Sequence, residues 1–94
     1  FIADSSSTCL ISNGVPMMGS ITGTGCMLNA ITGAYLAGGT PLNAALLSTV
    51  SFGIAGEAAD KDSSGPGTFH VQLFDALYSL KAAEIITKGR ISQV

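Results

Sequence analysis

The chain has 94 residues, 47% of them hydrophobic and only 11% charged, well below the roughly 25% charged residues of an average soluble domain. It can form at most one small domain, burying about 60–65% of its unfolded surface, and so apolar a sequence calls for cover by a membrane or by a larger assembly. A formal net charge of -2 leaves no basic footprint and excludes nucleic acid as a partner.

The chain opens at Phe1 without an initiator Met or a basic stretch ahead of an apolar run, so no secretory signal is expected, and the sequence reads as a fragment. Phe1 to Asp4 and Cys9 to Ile11 read as two short strands around a serine-rich turn at Asp4 to Ser7. Asn13-Gly14 is a turn signal, both residues tolerating positive φ. Val15 to Gly19 reads as loop, because Pro16 turns its predecessor away from helix. The two cysteines, Cys9 and Cys26, are expected to be reduced, with nothing pointing to an oxidising compartment.

A helix is expected from Thr24, with that hydroxyl as N-cap and Leu28, Ile31 and Tyr35 on one face; Gly38-Gly39 ends it. The next helix starts at Thr40 as N-cap with Pro41 at the first position. It carries Leu42, Leu46, Val50 and Ile54 and runs to about Ala59-Asp60, with Asp60, Lys61 and Asp62 as a solvated end. Gly65-Pro66-Gly67 reads as a helix-entry turn, and Thr68 is expected to cap a third helix with apolar face Val71, Phe74, Leu77 and Tyr78. His70 is expected to be a partly exposed helical residue. Met17 and Met18 are expected to fill the core, and Ala82 to Val94 to form a terminal strand.

No charged residue lies between Asp4 and Glu57, which would suit a membrane hairpin. Cys26 to Ala37 is nevertheless shorter than the ~20 apolar residues that cross a bilayer, and no basic flank appears before Lys61. Polar residues such as Thr32, Ser48 and Ser51 are also scattered through the supposed spans. Buried helices of an α/β protein are the better reading.

Thr22-Gly23-Thr24-Gly25-Cys26 carries the chemistry. Glycines at 23 and 25 allow a sharp turn into a helix and a close backbone approach to a ligand. The first helical N–H groups lack intrahelical acceptors, and the helix dipole adds a positive end, which together suit phosphate oxygens. Cys26 falls in the first turn, where the dipole favours a thiolate able to take a proton. The motif is neither a P-loop, lacking Gly-Lys-Ser/Thr, nor a dinucleotide fingerprint, with Leu28 in place of the third glycine. Pattern alone leaves two readings open: an anion site, and a structural strand-to-helix turn with a buried small thiol. Cys9, Cys26 and His70 do not have zinc-site spacing, so no metal held by protein ligands is expected.

The order of segments adds specificity. Ile11-Ser12-Asn13-Gly14-Val15-Pro16-Met17-Met18, then Thr22 to Cys26, then Phe52-Gly53-Ile54-Ala55-Gly56-Glu57, then Gly65-Pro66-Gly67-Thr68-Phe69 together resemble the hydroxyethylthiazole kinases. The likeness covers the C-terminal third of a family member. It implies the C-terminal part of a ribokinase-like three-layer α/β/α domain, with residues 1–94 an incomplete portion of a single kinase domain. It further implies ATP- and Mg2+-dependent phosphorylation of 4-methyl-5-(2-hydroxyethyl)thiazole in thiamine salvage, a cytoplasmic enzyme, and a homotrimer with sites between subunits. By resemblance Cys26 takes the place of the catalytic base, Gly23 contacts the thiazole substrate, and Thr24, Gly25 and Cys26 form the anion hole. One departure stands out: Val15 occupies a position where the family commonly has histidine. Two alternatives remain at this point, a non-catalytic assembly partner of the same fold and a related kinase acting on another small alcohol. The 94-residue chain alone is not expected to catalyse the reaction.

Overall fold

Asp4 makes the first turn. Its carboxylate accepts the backbone N–H groups of Ser6 (2.9 Å) and Ser7 (2.8 Å), an Asx-type arrangement that holds the Asp4 carboxyl below the usual aspartate value. The turn joins β1 (Ile2–Ala3) to β2 (Thr8–Ile11) as an antiparallel pair. In this computed structural model, which describes residues 1–94, there follow a 3-10 turn over Pro16–Ser20, α1 (Thr24–Leu36), α2 (Pro41–Asp62), α3 (Pro66–Ser79), α4 (Ala82–Lys88) and β3 (Ile91–Gln93). β3 pairs antiparallel with β2, with Cys9 opposite Gln93 and Ile11 opposite Ile91. The sheet order is therefore β1-β2-β3, with β2 central. The expected α/β class holds.

α2 is the spine. Thr40 caps it as expected, its hydroxyl accepting the Asn43 N–H at 3.3 Å, with Pro41 at the first helical position. Ser51 through Gly56 are buried without a break, along with Ala44, Ser48, Val50 and Ala59, so the helix is covered on more than one face. α2 is long and apolar enough to cross a bilayer, but 56% of its most apolar 18-residue window is buried inside the protein. It serves as the core helix. Its polar residues have partners: Thr32 and Ser48 hydroxyls meet at 2.8 Å, Tyr35 and Ser51 at 2.9 Å, and Ser48 also donates to Ala45 O. The first two bonds join α1 to α2, and no buried side-chain nitrogen or oxygen is left unpaired. The helix runs to Asp62, and Asp60, Lys61 and Asp62 are exposed as expected.

The main core lies between α2 and α3: Phe52, Ala55 and Ala59 against Phe69 and Leu73, with Met17, Met18 and Leu28 packed around them.

Several local expectations are corrected. Val15 to Gly19 is not plain loop, since Pro16–Ser20 forms a 3-10 turn with Pro16 in its first turn. Thr24 is the first residue of α1 and not its cap; Gly23 is. Gly38-Gly39 follow α1, but neither takes a left-handed conformation; Ala37 and Gly38 N–H groups close instead on Tyr35 O. Of the Asn13-Gly14 pair only Gly14 has positive φ (130°). α3 begins at Pro66 with Gly65 before it, so Thr68 is not its cap. Its inward face is Phe69 and Leu73, both fully buried, whereas Val71, Phe74 and Tyr78 are 61%, 54% and 93% exposed. Leu77, from the expected face, does pack on the core. His70 is half-buried on α3 and stacks on Phe74. Ala82 to Val94 splits into α4 and β3; the Glu84 carboxylate accepts the Lys81 N–H and Lys88 Nζ, both at 3.3 Å, and supports a seven-residue helix.

Candidate functional site

Gly23 sits at φ 88°, ψ -1°, in the left-handed region that costs a residue bearing Cβ about 1–2 kcal/mol. The chain needs this turn to pass from the extended Ile21 into α1. Glycine at the cap has a second consequence. Having no side chain, it cannot donate an oxygen to the first amides of the helix, and none is supplied from elsewhere. The first helical bond runs from Met27 N–H to Gly23 O at 2.9 Å, so the amides of Thr24, Gly25 and Cys26 precede it and are open to an external acceptor. The dipole of the 13-residue α1 makes this end favourable for negative charge.

A cavity of about 340 Å³ opens beside these amides, lined by Thr24, Gly25 and Leu28 of α1, Thr49, Phe52 and Gly53 of α2, and Asn13, Met18 and Gly19 of the preceding segment. Its size suits a small-molecule site, as does its make-up of apolar walls with a few polar groups. No charged side chain lines it. Met18, expected as core filler, serves the core and the cavity wall together.

The four residues singled out from sequence are thus brought to one helix start, but not to one cavity. Thr24 and Gly25 line it, while Gly23 and Cys26 do not. At about 100° per residue, Leu28 lies about 40° around α1 from Thr24 and Cys26 about 200°. Cys26 therefore leaves the helix on the side away from the cavity. It is a free, exposed thiol, whereas Cys9 is free and buried. The structural reading of the turn required a buried thiol at Cys26, and it is not buried.

No group of three or more His, Cys, Asp and Glu residues comes together in a metal-holding arrangement, and none of the six carboxylates borders the cavity. The residues present do not fit a protein-held magnesium here.

Asn13, Glu57 and Arg90 form a unit that no sequence motif marks. Asn13 Nδ2 donates to Glu57 Oε1 at 2.9 Å and to Lys88 O at 3.0 Å, and its Oδ1 accepts the Arg90 N–H at 2.7 Å. The Arg90 guanidinium donates to Glu57 Oε2 and to Ser12 O. Burial opposes ionisation of Glu57, but bonds from Asn13 and Arg90, the Arg90 charge and the Gly14 backbone outweigh it, holding the carboxyl below the usual glutamate value. Asn13 and Glu57 lie inside the motifs quoted above, yet their pairing across 44 positions leaves no local signature.

Residues 1–83 match the family model described as "Hydroxyethylthiazole kinase family". The chain belongs to the hydroxyethylthiazole kinase family. Among relatives, it is 40% identical over its whole length to the hydroxyethylthiazole kinase of Pyrococcus horikoshii, covering 36% of that protein. It is 42% identical to that of Photobacterium profundum, covering all of this chain and 34% of the relative. The solved structure of the Pyrococcus horikoshii hydroxyethylthiazole kinase protein superposes with a TM-score of 0.93 at 41% identity, over 98% of this chain and 36% of that one. The chain thus spans little more than a third of the length of these family members, and the fold expected from the resemblance is the one found.

Proposed function

We propose that residues 1–94 form the C-terminal portion of a single kinase domain that phosphorylates the hydroxyl of 4-methyl-5-(2-hydroxyethyl)thiazole with ATP in thiamine salvage. The observation that carries this reading is the uncapped start of α1. A left-handed glycine and three unclaimed amides adjoin a cavity of ligand size, in a chain of kinase family.

The opposed directions of Thr24 and Cys26 divide the roles. The phosphate donor lies on the cavity side, with its heteroaromatic base among Leu28, Phe52 and Met18. The acceptor alcohol lies on the Cys26 side, in contact with the Gly23 backbone, and the γ-phosphoryl group sits between them at the helix start. Cys26 Sγ, as the base, takes the hydroxyl proton as the alcohol oxygen bonds to the γ-phosphorus. The bond from that phosphorus to the β–γ bridging oxygen breaks, and ADP leaves. The amides of Thr24, Gly25 and Cys26 stabilise charge on the phosphoryl oxygens throughout. Magnesium would arrive with ATP and supply further charge neutralisation, held by groups other than the side chains of this segment. A homotrimer and a cytoplasmic location complete the proposal, by likeness to the family. A homotrimer would also give the exposed apolar residues of α3 a partner surface.

The test uses the full-length kinase carrying this segment. ATP-dependent phosphorylation of the thiazole alcohol is expected, and Cys26→Ala should lower kcat by about 10² or more while KM for ATP stays within about twofold, general-base catalysis being worth about 10²–10⁴. Unchanged turnover would remove Cys26 from the mechanism, and no phosphorylation by the unmodified kinase would support the non-catalytic alternative.

A further inference from the structure

The cavity wall formed by Asn13 and Met18 does not belong to α1 or α2. It is the segment that runs from β2 into the Pro16–Ser20 3-10 turn, pressed onto α2, and two features press it there.

The first is a seat of two glycines. A Cβ at Gly53 would lie 2.7 Å from Asn13 Cβ and 2.8 Å from the Asn13 carbonyl carbon, and a Cβ at Gly56 would lie 2.6 Å from Met18 Sδ. All three distances are below any real contact; at Gly53 the clash is with Asn13 backbone, so the segment reaches this position only because α2 carries glycine there, while at Gly56, one turn on along the same face, a side chain would displace the Met18 side chain. The second is the network that closes over the outer side. Asn13 uses its side-chain N–H groups and its carbonyl on Glu57, Lys88 O and Arg90 N–H. Arg90 binds Glu57 and Ser12 O, while Ser12 N–H returns to Arg90 O at 2.9 Å. The network thus fastens the loop at once to α2 and to the segment between α4 and β3, so neither can move without releasing Asn13.

We propose that Asn13, Glu57 and Arg90 are positioning residues for the phosphate donor: with the Gly53–Gly56 seat they fix the Asn13–Met18 wall of the cavity. This rests on the reading that the cavity takes the donor. Glu57 and Arg90 do not line the cavity and act through Asn13 and the loop behind it.

Steady-state kinetics of the full-length kinase carrying this segment separate positioning from bulk stability. Glu57→Ala should raise KM for ATP about tenfold, the scale of one or two lost hydrogen bonds, with KM for the alcohol within twofold. Glu57→Gln should fall between Glu57→Ala and the unmodified enzyme, since its amide oxygen still accepts from Asn13 while the charge pair with Arg90 is gone. Arg90→Gln, at a half-exposed side chain, should match Glu57→Gln. Hydrogen exchange supplies a readout independent of activity: in Glu57→Ala the Met18 amide, bonded to Val15 O at 3.2 Å, should lose protection while the α3 amides keep theirs. If Glu57→Ala does not fold, Glu57→Gln and Arg90→Gln carry the same two measurements. An unchanged KM for ATP, a rise in KM for the alcohol in its place, or unaltered protection at Met18 overturns the proposal. A kinase inactive before any substitution would sink the functional reading instead, and exchange at Met18 would then decide the clamp alone.

Discussion

Replacing Gly23 by alanine isolates backbone strain from packing. Nothing lies within 4 Å of a Cβ built on Gly23, so the added methyl meets no neighbour and the whole cost comes from holding φ at 88°. For an L-residue that cost is about 1–2 kcal/mol. The left-handed region favours asparagine over alanine and penalises β-branched residues most, so stability should fall in the order Gly23, Gly23→Asn, Gly23→Ala, Gly23→Val. Urea unfolding of the full-length kinase carrying this segment, with m unchanged, reads these differences as shifts in midpoint. On the proposed function, the catalytic rate should follow the same order, because the Thr24, Gly25 and Cys26 amides are aimed by this residue. Alanine as stable as glycine, or asparagine worse than alanine, would refute the claim that the helix start requires a left-handed residue.

Further outcomes follow from the core and the polar contacts. Phe69→Ala, at a fully buried ring in the α2–α3 core, should cost about 3–5 kcal/mol in urea unfolding. Thr32→Val removes the hydroxyl that Ser48 Oγ and Leu28 O share as acceptors; Ser48 keeps its bond to Ala45 O, so the loss should be about 1 kcal/mol and not the larger cost of a stranded hydroxyl. The Glu57 carboxyl titrates lower in the folded chain than in the unfolded one. Its stabilising contribution is therefore fully present above its ordinary value near 4.5 and is lost as pH falls through the lower folded value. Asp4 contributes in the same direction, so the comparison that isolates Glu57 is Glu57→Gln, whose urea midpoint should fall less than the unmodified protein's as pH is lowered below the ordinary glutamate value of 4.5.

Features set by a few adjacent residues were legible beforehand. Thr40-Pro41 marked the start of α2, Asp4 to Ser7 marked the β1–β2 turn, and the spacing of Gly23 and Gly25 marked the start of α1. Each works through local hydrogen bonds or dihedral limits that the residues carry with them. α3 turns inward a different stripe from Val71, Phe74 and Tyr78 because it has two apolar stripes. Phe69, Leu73 and Ala76 satisfy helical spacing as well as Val71, Phe74 and Tyr78 do, and only the surface of α2 selects the first. α4 has no local signature, because seven residues containing two adjacent isoleucines have no intrinsic helical stability; they fold as helix against the rest of the chain.

The candidate site divides along the same line. From residue types and order alone came a glycine-flanked helix start, a thiol in its first turn, and a family resemblance that the comparisons bore out. Tertiary structure alone decided that Cys26 and the cavity lie on different sides of α1, since that depends on where α2 and the Asn13–Met18 loop pack. It also decided that Asn13, Glu57 and Arg90, remote in sequence, share one network. Dihedral preferences and end effects act over a few residues and are written locally. Which face is covered, and which polar groups meet, depends on contacts between distant segments that no short stretch of sequence contains.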